Sequence, residues 1–341
     1  MKKLRVLVLM HEDLIPPASI EGLSDKEIAP FKAEFDVVAG LEALGHEVRP
    51  LGMVDDLGVA RRAILQWKPH VAFNLLEEFH GVAVYDHHVV SYLELMRQPY
   101  TGCNPRGLMI AHDKALSKKI LTYHRIATPR FSVFPFGKRP KRPRRLSFPL
   151  LVKSTIEDAS WGISQASIVT NHEKLVDRVK FIHDQVRSDA IVEEYIEGRE
   201  LYVGVMGNQR LHTLPVWEML FTKMPEDVPH IATAKAKWDE DYQKKHGIET
   251  QAAEDLPPGV AERIAKLARR VYRNLSQSGY ARLDLRLAPN GRIYVLETNP
   301  NPNLEYGEDF AESAHTAGIN YEALLQRILN LGQRYPAPWR G

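Results

Sequence analysis

The sequence predicts an α/β chain that opens with a doubly wound unit and changes register beyond it. Three observations predict this. Over residues 1 to about 105, apolar runs of strand length alternate with stretches of helical period, as in a sheet covered on both faces. From Asp113 the pattern becomes a helix to about His124, then strands divided by loops. Last, Arg282 to Asn299 reads as a hairpin that sets two carboxylates against each other.

Taken in order, Arg5 to Met10 is a short continuous apolar run, suited to a buried parallel strand. Its five apolar residues are too few for a signal peptide. Further strands are expected at Glu47 to Leu51 and Val71 to Leu75. Helices are expected from Phe31 to Leu44, stopping at Gly45, and from near Asp56 to Trp67, ahead of Pro69. No GxGxxG follows the first strand, which removes most support for a dinucleotide enzyme. Beyond the Asp113 helix come a strand at Phe131 to Phe134 and a run, Lys138 to Arg145, in which six of eight residues are basic. Its two prolines and lack of aromatics make it a solvated connector, not a nucleic-acid grip.

Phe148 to Lys153 is a strand ending in lysine before a loop containing Ser160, Trp161 and Gly162. Such a loop can set a point charge and backbone N–H groups against phosphates. Ala190 to Val203 is read as two strands joined through Gly198, with acids at the join. A helix from about Gly259 to Ser278 leads into the hairpin, and Tyr321 to Leu331 is an amphipathic helix expected to close the domain.

For the hairpin, Asn290-Gly291 is the expected two-residue turn. Cross-strand partners then sum to 581. Asp284 opposes Glu297 and Arg282 opposes Asn299 on one face, while Leu283, Leu285, Leu287, Tyr294 and Leu296 share the other. Opposed carboxylates destabilise a sheet unless a cation joins them, so the pair with the Asn299 amide suits Mg²⁺ completed by phosphates. A solvated face with two incidental acids remains the rival reading.

The chain has 341 residues, 44% hydrophobic and 26% charged, with net charge +2 and the single cysteine Cys103. These values fit a soluble, multi-domain globular protein in a reducing, cytoplasmic setting. They exclude an intramolecular disulfide and a cysteine-based zinc site, and give no sign of a membrane span or a nucleic-acid partner.

Together the quoted segments resemble the ATP-grasp superfamily, and within it the D-alanine:D-alanine ligase branch. Phe73 to Glu77, Pro99 to Gly102, Asp113-Lys114, Val152-Lys153, Val192 to Tyr195, Gly198 to Glu200, Ala236 to Trp238 and Leu296 to Asn299 carry the likeness. It implies a Rossmann-like N-terminal domain at residues 1–108, then a two-lobed α+β ATP-grasp fold with a small subdomain at 109–191 and a larger one at 192–341. It also implies a carboxylate–amine ligase working through an acyl phosphate, with ATP and two Mg²⁺ ions, Mn²⁺ as substitute, small amino acids or amines as substrates, and a homodimer as one assembly. By carry-over, Lys114 and Lys153 contact phosphates and the loop with Ser160 and Gly162 closes over them. Glu193, Glu194 and Ile196 meet adenine, and Glu200 the ribose. Lys237 reaches the γ-phosphate from a segment, Phe221 to Glu249, expected to be mobile without nucleotide. Asp284, Glu297 and Asn299 hold metal, and Arg282 stabilises the transferring phosphoryl group and the later oxyanion.

The substrate half departs from the branch. Its Gly-rich segment after the first strand is replaced by His11 to Pro17, where Glu12 or Asp13 is expected to substitute for a lost glutamate. A loop serine falls at Ala159 and a tyrosine at Trp238; Asn303 stands for a glycine; Glu308 and Asp309 lie where a serine usually meets the second substrate's carboxylate. Glu77 and His80 are candidates for the first-substrate pocket. The expectation is therefore a ligase with an altered pocket, the alternatives being a genuine D-alanine:D-alanine ligase and a non-catalytic nucleotide-binding regulator.

Overall fold

The computed structural model describes residues 2–141, 143, 145–156, 163–225 and 228–340, Trp238 by its backbone alone. Among these, twelve strands form three sheets. The first holds β1 (Arg5–His11), β2 (Glu47–Met53) and β3 (Val71–Asn74) in the parallel order β2-β1-β3. Because strand side chains alternate, Val6, Val8 and Met10 enter one core while Leu7 and Leu9 enter another on the opposite face. That is the doubly wound arrangement. The C-terminal helix Tyr321–Arg334 covers the first of these faces through Leu324, Leu325, Ile328 and Leu329. It packs on helix Lys32–Ala43 as well as on helix Asp309–Thr316, and a Cβ at Gly40 would lie 2.6 Å from Leu325 Cδ1, so a larger residue there would have to displace that leucine side chain.

The second sheet joins β4 (Phe131–Phe134), β5 (Leu150–Ser154), β6 (Ile168–Val169) and β7 (Ala190–Glu194) as β4-β7-β5-β6. Leu175 and Val179 of helix His172–Phe181 cover it. The third is antiparallel, with β8 (Arg199–Met206), β9 (His212–Phe221), β10 (Ile248–Ala252), β11 (Tyr280–Leu287) and β12 (Ile293–Pro300) in the order β10-β9-β8-β11-β12. Helix Val260–Asn274 fills its back with Val260, Ile264, Ala268 and Val271, the helical spacing of a single stripe.

The two strands expected on either side of Gly198 are present and fall in different sheets, β7 in the second and β8 in the third, so residues 195–198 carry the chain from one sheet to the other. Gly198 has φ +137°, and a Cβ there would lie 2.1 Å from the Leu287 carbonyl oxygen. The hairpin turn differs from the expected one. Gly291 N–H donates to Ala288 and Ala288 N–H to Arg292, with φ +76° at Gly291 alone. This is a three-residue loop, Pro289-Asn290-Gly291, which sets partners near the turn to a sum of 580. A β-bulge between Asp284 and Leu285 on one strand and at Leu296 on the other then restores 581, so Asp284 faces Glu297 and Arg282 faces Asn299 as expected. Val295 and Ile293, not Leu296 and Tyr294, therefore join Leu283, Leu285 and Leu287 in the core.

No helix among the described residues is long and apolar enough to cross a membrane.

Candidate active site

The site lies where the second and third sheets approach each other. On β8 and β11 the side-chain alternation presents Glu200, Tyr202, Arg282, Asp284 and Arg286 on one face, and β12 adds Glu297 and Asn299. On the facing sheet, Lys153 of β5 and Glu193 of β7 are diagonal neighbours 3.5 Å apart. Helix Lys114–Tyr123, N-capped by Asp113, supplies Lys114 from its first turn.

These charges form one network. Glu297 Oε2 lies 3.5 Å from Lys114 Nζ and 3.4 Å from Lys153 Nζ. Burial works against its charge, but Lys114, Lys153, Lys237 and Lys118 outweigh it and hold the carboxyl well below the usual range. Burial likewise opposes the Lys153 charge, and Glu193 and Glu297 reverse that, so its ammonium is raised. Asp284 accepts twice from Arg282, at 2.9 and 3.1 Å. The same guanidinium sits 3.7 Å from Asp309 and 4.8 Å over the Tyr202 ring. In this arrangement each expected metal ligand with a charge is held by a cation of the site.

Glu193, expected beside adenine, is engaged by Lys118 at 3.4 Å and by Lys153. Glu194 pairs with Arg130 at 2.7 Å. Ile196 is in the connection between the sheets. Glu200 is buried and accepts from Arg286 at 2.6 Å and from the Tyr202 hydroxyl. Ser160 and Gly162 lie outside the described residues, as does the Trp238 side chain.

A cleft of about 770 Å³ opens from this network, lined by Lys237, Arg282, Glu297, Asn299, Asn303, Glu77 and Asp13 among others. Asn303 turns its Oδ1 onto the Glu305 N–H, capping its own loop. Two of the candidates for the substrate pocket do not reach the cleft lining. Glu12 is exposed in the turn after β1, where the half-buried His11 and the exposed Asp13 border the cleft instead. His80 is exposed, with φ +58°, 4.0 Å from Asp55.

Sequence reasoning passed over Lys118, Arg286 and the Asp86–His112 pair. Lys118 stands four residues after Lys114, on the same helix face, and that spacing was a usable signal. It is 1% exposed, donates to Thr128 Oγ1 and to the Leu296 carbonyl, and is lowered to about 8 by burial, against the pull of Glu193. Arg286 is two residues past Asp284 and shares its face; its Nη1 donates to the Gly198 and His230 carbonyls. Asp86 accepts from or pairs with His112 Nε2 at 3.0 Å, and both line the cleft. Nothing in their sequence spacing announces that meeting.

Among the described residues no group of three or more His, Cys, Asp or Glu gathers as a metal site. The donor set available is two carboxylates and an amide, all hard oxygen donors, which fits a divalent ion that takes its remaining ligands from phosphates and water.

Comparisons with known proteins agree with this geometry. A family model described as the D-ala D-ala ligase C-terminus matches residues 125–330. A D-alanine–D-alanine ligase of Bordetella petrii is 30% identical over 70% of this chain and 69% of its own length. An uncharacterized protein of Sinorhizobium fredii is 32% identical over 87% of this chain and 86% of its own. The crystal structure of a D-alanine–D-alanine ligase from Bacillus anthracis complexed with ATP superposes with a TM-score of 0.74 at 25% identity, covering 99% of this chain and 100% of that one. The chain therefore belongs to the D-alanine–D-alanine ligase family and is an ATP-grasp ligase.

Proposed function

We propose that the protein activates a small amino acid's carboxylate with ATP and joins it to an amine, through an acyl phosphate, in a pocket altered from that of its D-alanine-specific relatives. The observation that carries this reading is the Asp284–Glu297 pair, set opposite each other beside Lys114, Lys153, Lys237 and Arg282, with Glu297, Lys237 and Arg282 lining a cleft of about 770 Å³. Such a constellation matches what phosphoryl transfer needs, namely positioning and charge neutralisation away from water.

A carboxylate resists an amine because its leaving group is poor. Attack of the substrate carboxylate on the γ-phosphorus breaks the bond to ADP and makes phosphate the leaving group; the amine then attacks the acyl carbon, and phosphate departs. Asp284, Glu297 and Asn299 would hold two Mg²⁺ ions, or Mn²⁺, which neutralise phosphate oxygens. When nucleotide enters, Lys114 and Lys153 exchange part of their hold on Glu297 for phosphate oxygens. Arg282, kept in place by Asp284 and the Tyr202 ring, steadies the oxyanion of the tetrahedral intermediate. Lys237 on its short helix reaches the γ-phosphate, and the surrounding segment shields the acyl phosphate from hydrolysis. Residues 1–108, 109–191 and 192–341 would act as substrate-side domain and the two jaws.

Hydroxylamine intercepts acyl phosphates. With ATP, Mg²⁺ and a panel of D- and L-amino acids, one donor should yield a hydroxamate and stoichiometric ADP. No hydroxamate from any donor would defeat the reading. D-Alanine as sole substrate, with the dipeptide sought by mass, decides whether the product is that of the named relatives.

A further inference from the structure

Eight residues lining the cleft are Asp or Glu, against Lys237 and Arg282. The phosphate end is balanced, because Glu297 lies between Lys114 and Lys153. The far end is not. There Asp309 opens helix Asp309–Thr316 with Glu308 as its N-cap, and no cap hydrogen bond uses the Glu308 side chain. Glu308 keeps a solvent-exposed surface, yet partial desolvation and the neighbouring Asp309 and Glu305 charges push its carboxyl above its ordinary range. Arg282 is the cation nearest to Asp309 and already holds Asp284 with two shorter contacts.

An independent observation comes from buried oxygens. Asp309 Oδ1 is out of water and receives no hydrogen bond. In the lining of the same cleft Asp86, its side chain 5% exposed, gives Oδ2 to His112 and leaves Oδ1 buried without a donor. Buried carboxylate oxygens without donors cost free energy, more so for charged groups. Two of them lining one cleft describe a place that lacks a donor, and an ammonium group supplies three.

We propose that the amine acceptor of this ligase carries a second positive charge, as a diamine or a basic amino acid does, and that Asp309 with Glu308 holds the distal ammonium. The assignment rests on the ligase reading above and deepens it. An acceptor held by a carboxylate would bring a third negative charge beside Glu308 and Asp309, with the guanidinium that could offset it already engaged. A doubly charged acceptor avoids this. One ammonium gives up its proton and its nitrogen attacks the acyl carbon, phosphate leaves, and the other ammonium stays protonated between the two carboxylates.

The test supplies the full-length protein with ATP, Mg²⁺ and the D- and L-amino acid pool as donors, adding one acceptor at a time: 1,4-diaminobutane, lysine or ornithine against alanine, serine or glutamate. ADP release should rise at least tenfold with a dibasic acceptor over alanine, and the product mass should contain that amine in amide linkage. Glu308→Lys, checked for an unchanged melting temperature, should reverse the order of preference, and Asp309→Asn should raise KM for the dibasic acceptor more than it lowers kcat. Amide products formed equally well with alanine or serine, or a preference that survives Glu308→Lys, overturn the proposal and leave the ligase reading standing. Absence of both hydroxamate and amide with every partner overturns both.

Discussion

Glu34 offers a quantitative test of how the structure handles a buried acid. It lies on helix Lys32–Ala43 with 7% exposure, and no cation among the described residues pairs with it. Burial pushes its carboxyl from 4.5 up to about 7; its own backbone N–H pulls the other way, and the Glu77 and Glu305 charges add to the rise. A carboxyl raised on folding contributes stability that is fully present below pH 4.5 and is lost as pH climbs through 7. At about 1.4 kcal/mol per pH unit, the loss approaches about 3 kcal/mol by pH 8 and stays below about 1 kcal/mol at pH 5. Glu34→Gln keeps the shape and removes the titration. For a chain of 341 residues, an unfolding entropy of about 2 cal/mol/K per residue turns 3 kcal/mol into a shift of about 4 °C. Thermal melts of both proteins from pH 5 to 8 should therefore converge at low pH and separate by about 4 °C at pH 8, the variant higher. Parallel curves across that range would refute the reasoning.

Further outcomes follow from the site. Asp284→Asn removes a proposed metal ligand and the two-point anchor of Arg282, so kcat should fall by on the order of 10² to 10³; a phosphate-release assay showing full turnover would exclude Asp284 from the metal set. Lys118→Met strands Glu193 and draws Lys153 toward it, which should cost about 3 kcal/mol of stability and raise KM for ATP, read by melting and by initial rates. Gly198→Ala forces a Cβ onto the Leu287 carbonyl at a backbone angle reserved for glycine, and should lower the melting temperature by at least about 3 °C. Limited proteolysis within residues 221–249 should slow when ATP and Mg²⁺ are added together; equal rates would count against closure of that segment.

Local patterns were legible because they depend on neighbours in sequence. The strands at Arg5, Glu47 and Val71 follow from short apolar runs, and the pairing of Asp284 with Glu297 was read in the right register. The route to that register was not. The turn is one residue longer than Asn290-Gly291 suggested, and a bulge corrects the count, so two unseen features cancelled. What failed was anything set by packing at a distance. No local signal tells which sheets receive the two strands around Gly198. The covering of β1 by Tyr321–Arg334 joins the two ends of the chain. His112 reaches Asp86 across 26 positions, and only the assembled helices bring the two together.

The bulge at Leu296 does more than keep count. By stepping out of the ladder, this residue turns its carbonyl oxygen to Lys118 Nζ at 2.7 Å, while the preceding carbonyl, of Val295, accepts from Thr128. The main chain itself thus serves as a fixed docking point for the helix that brings Lys114, and no side-chain replacement can erase it. Position 296 should accept many amino acids yet refuse removal. Excising the residue would leave a regular hairpin with its two acids still opposed, but would strip a buried lysine of its backbone acceptor.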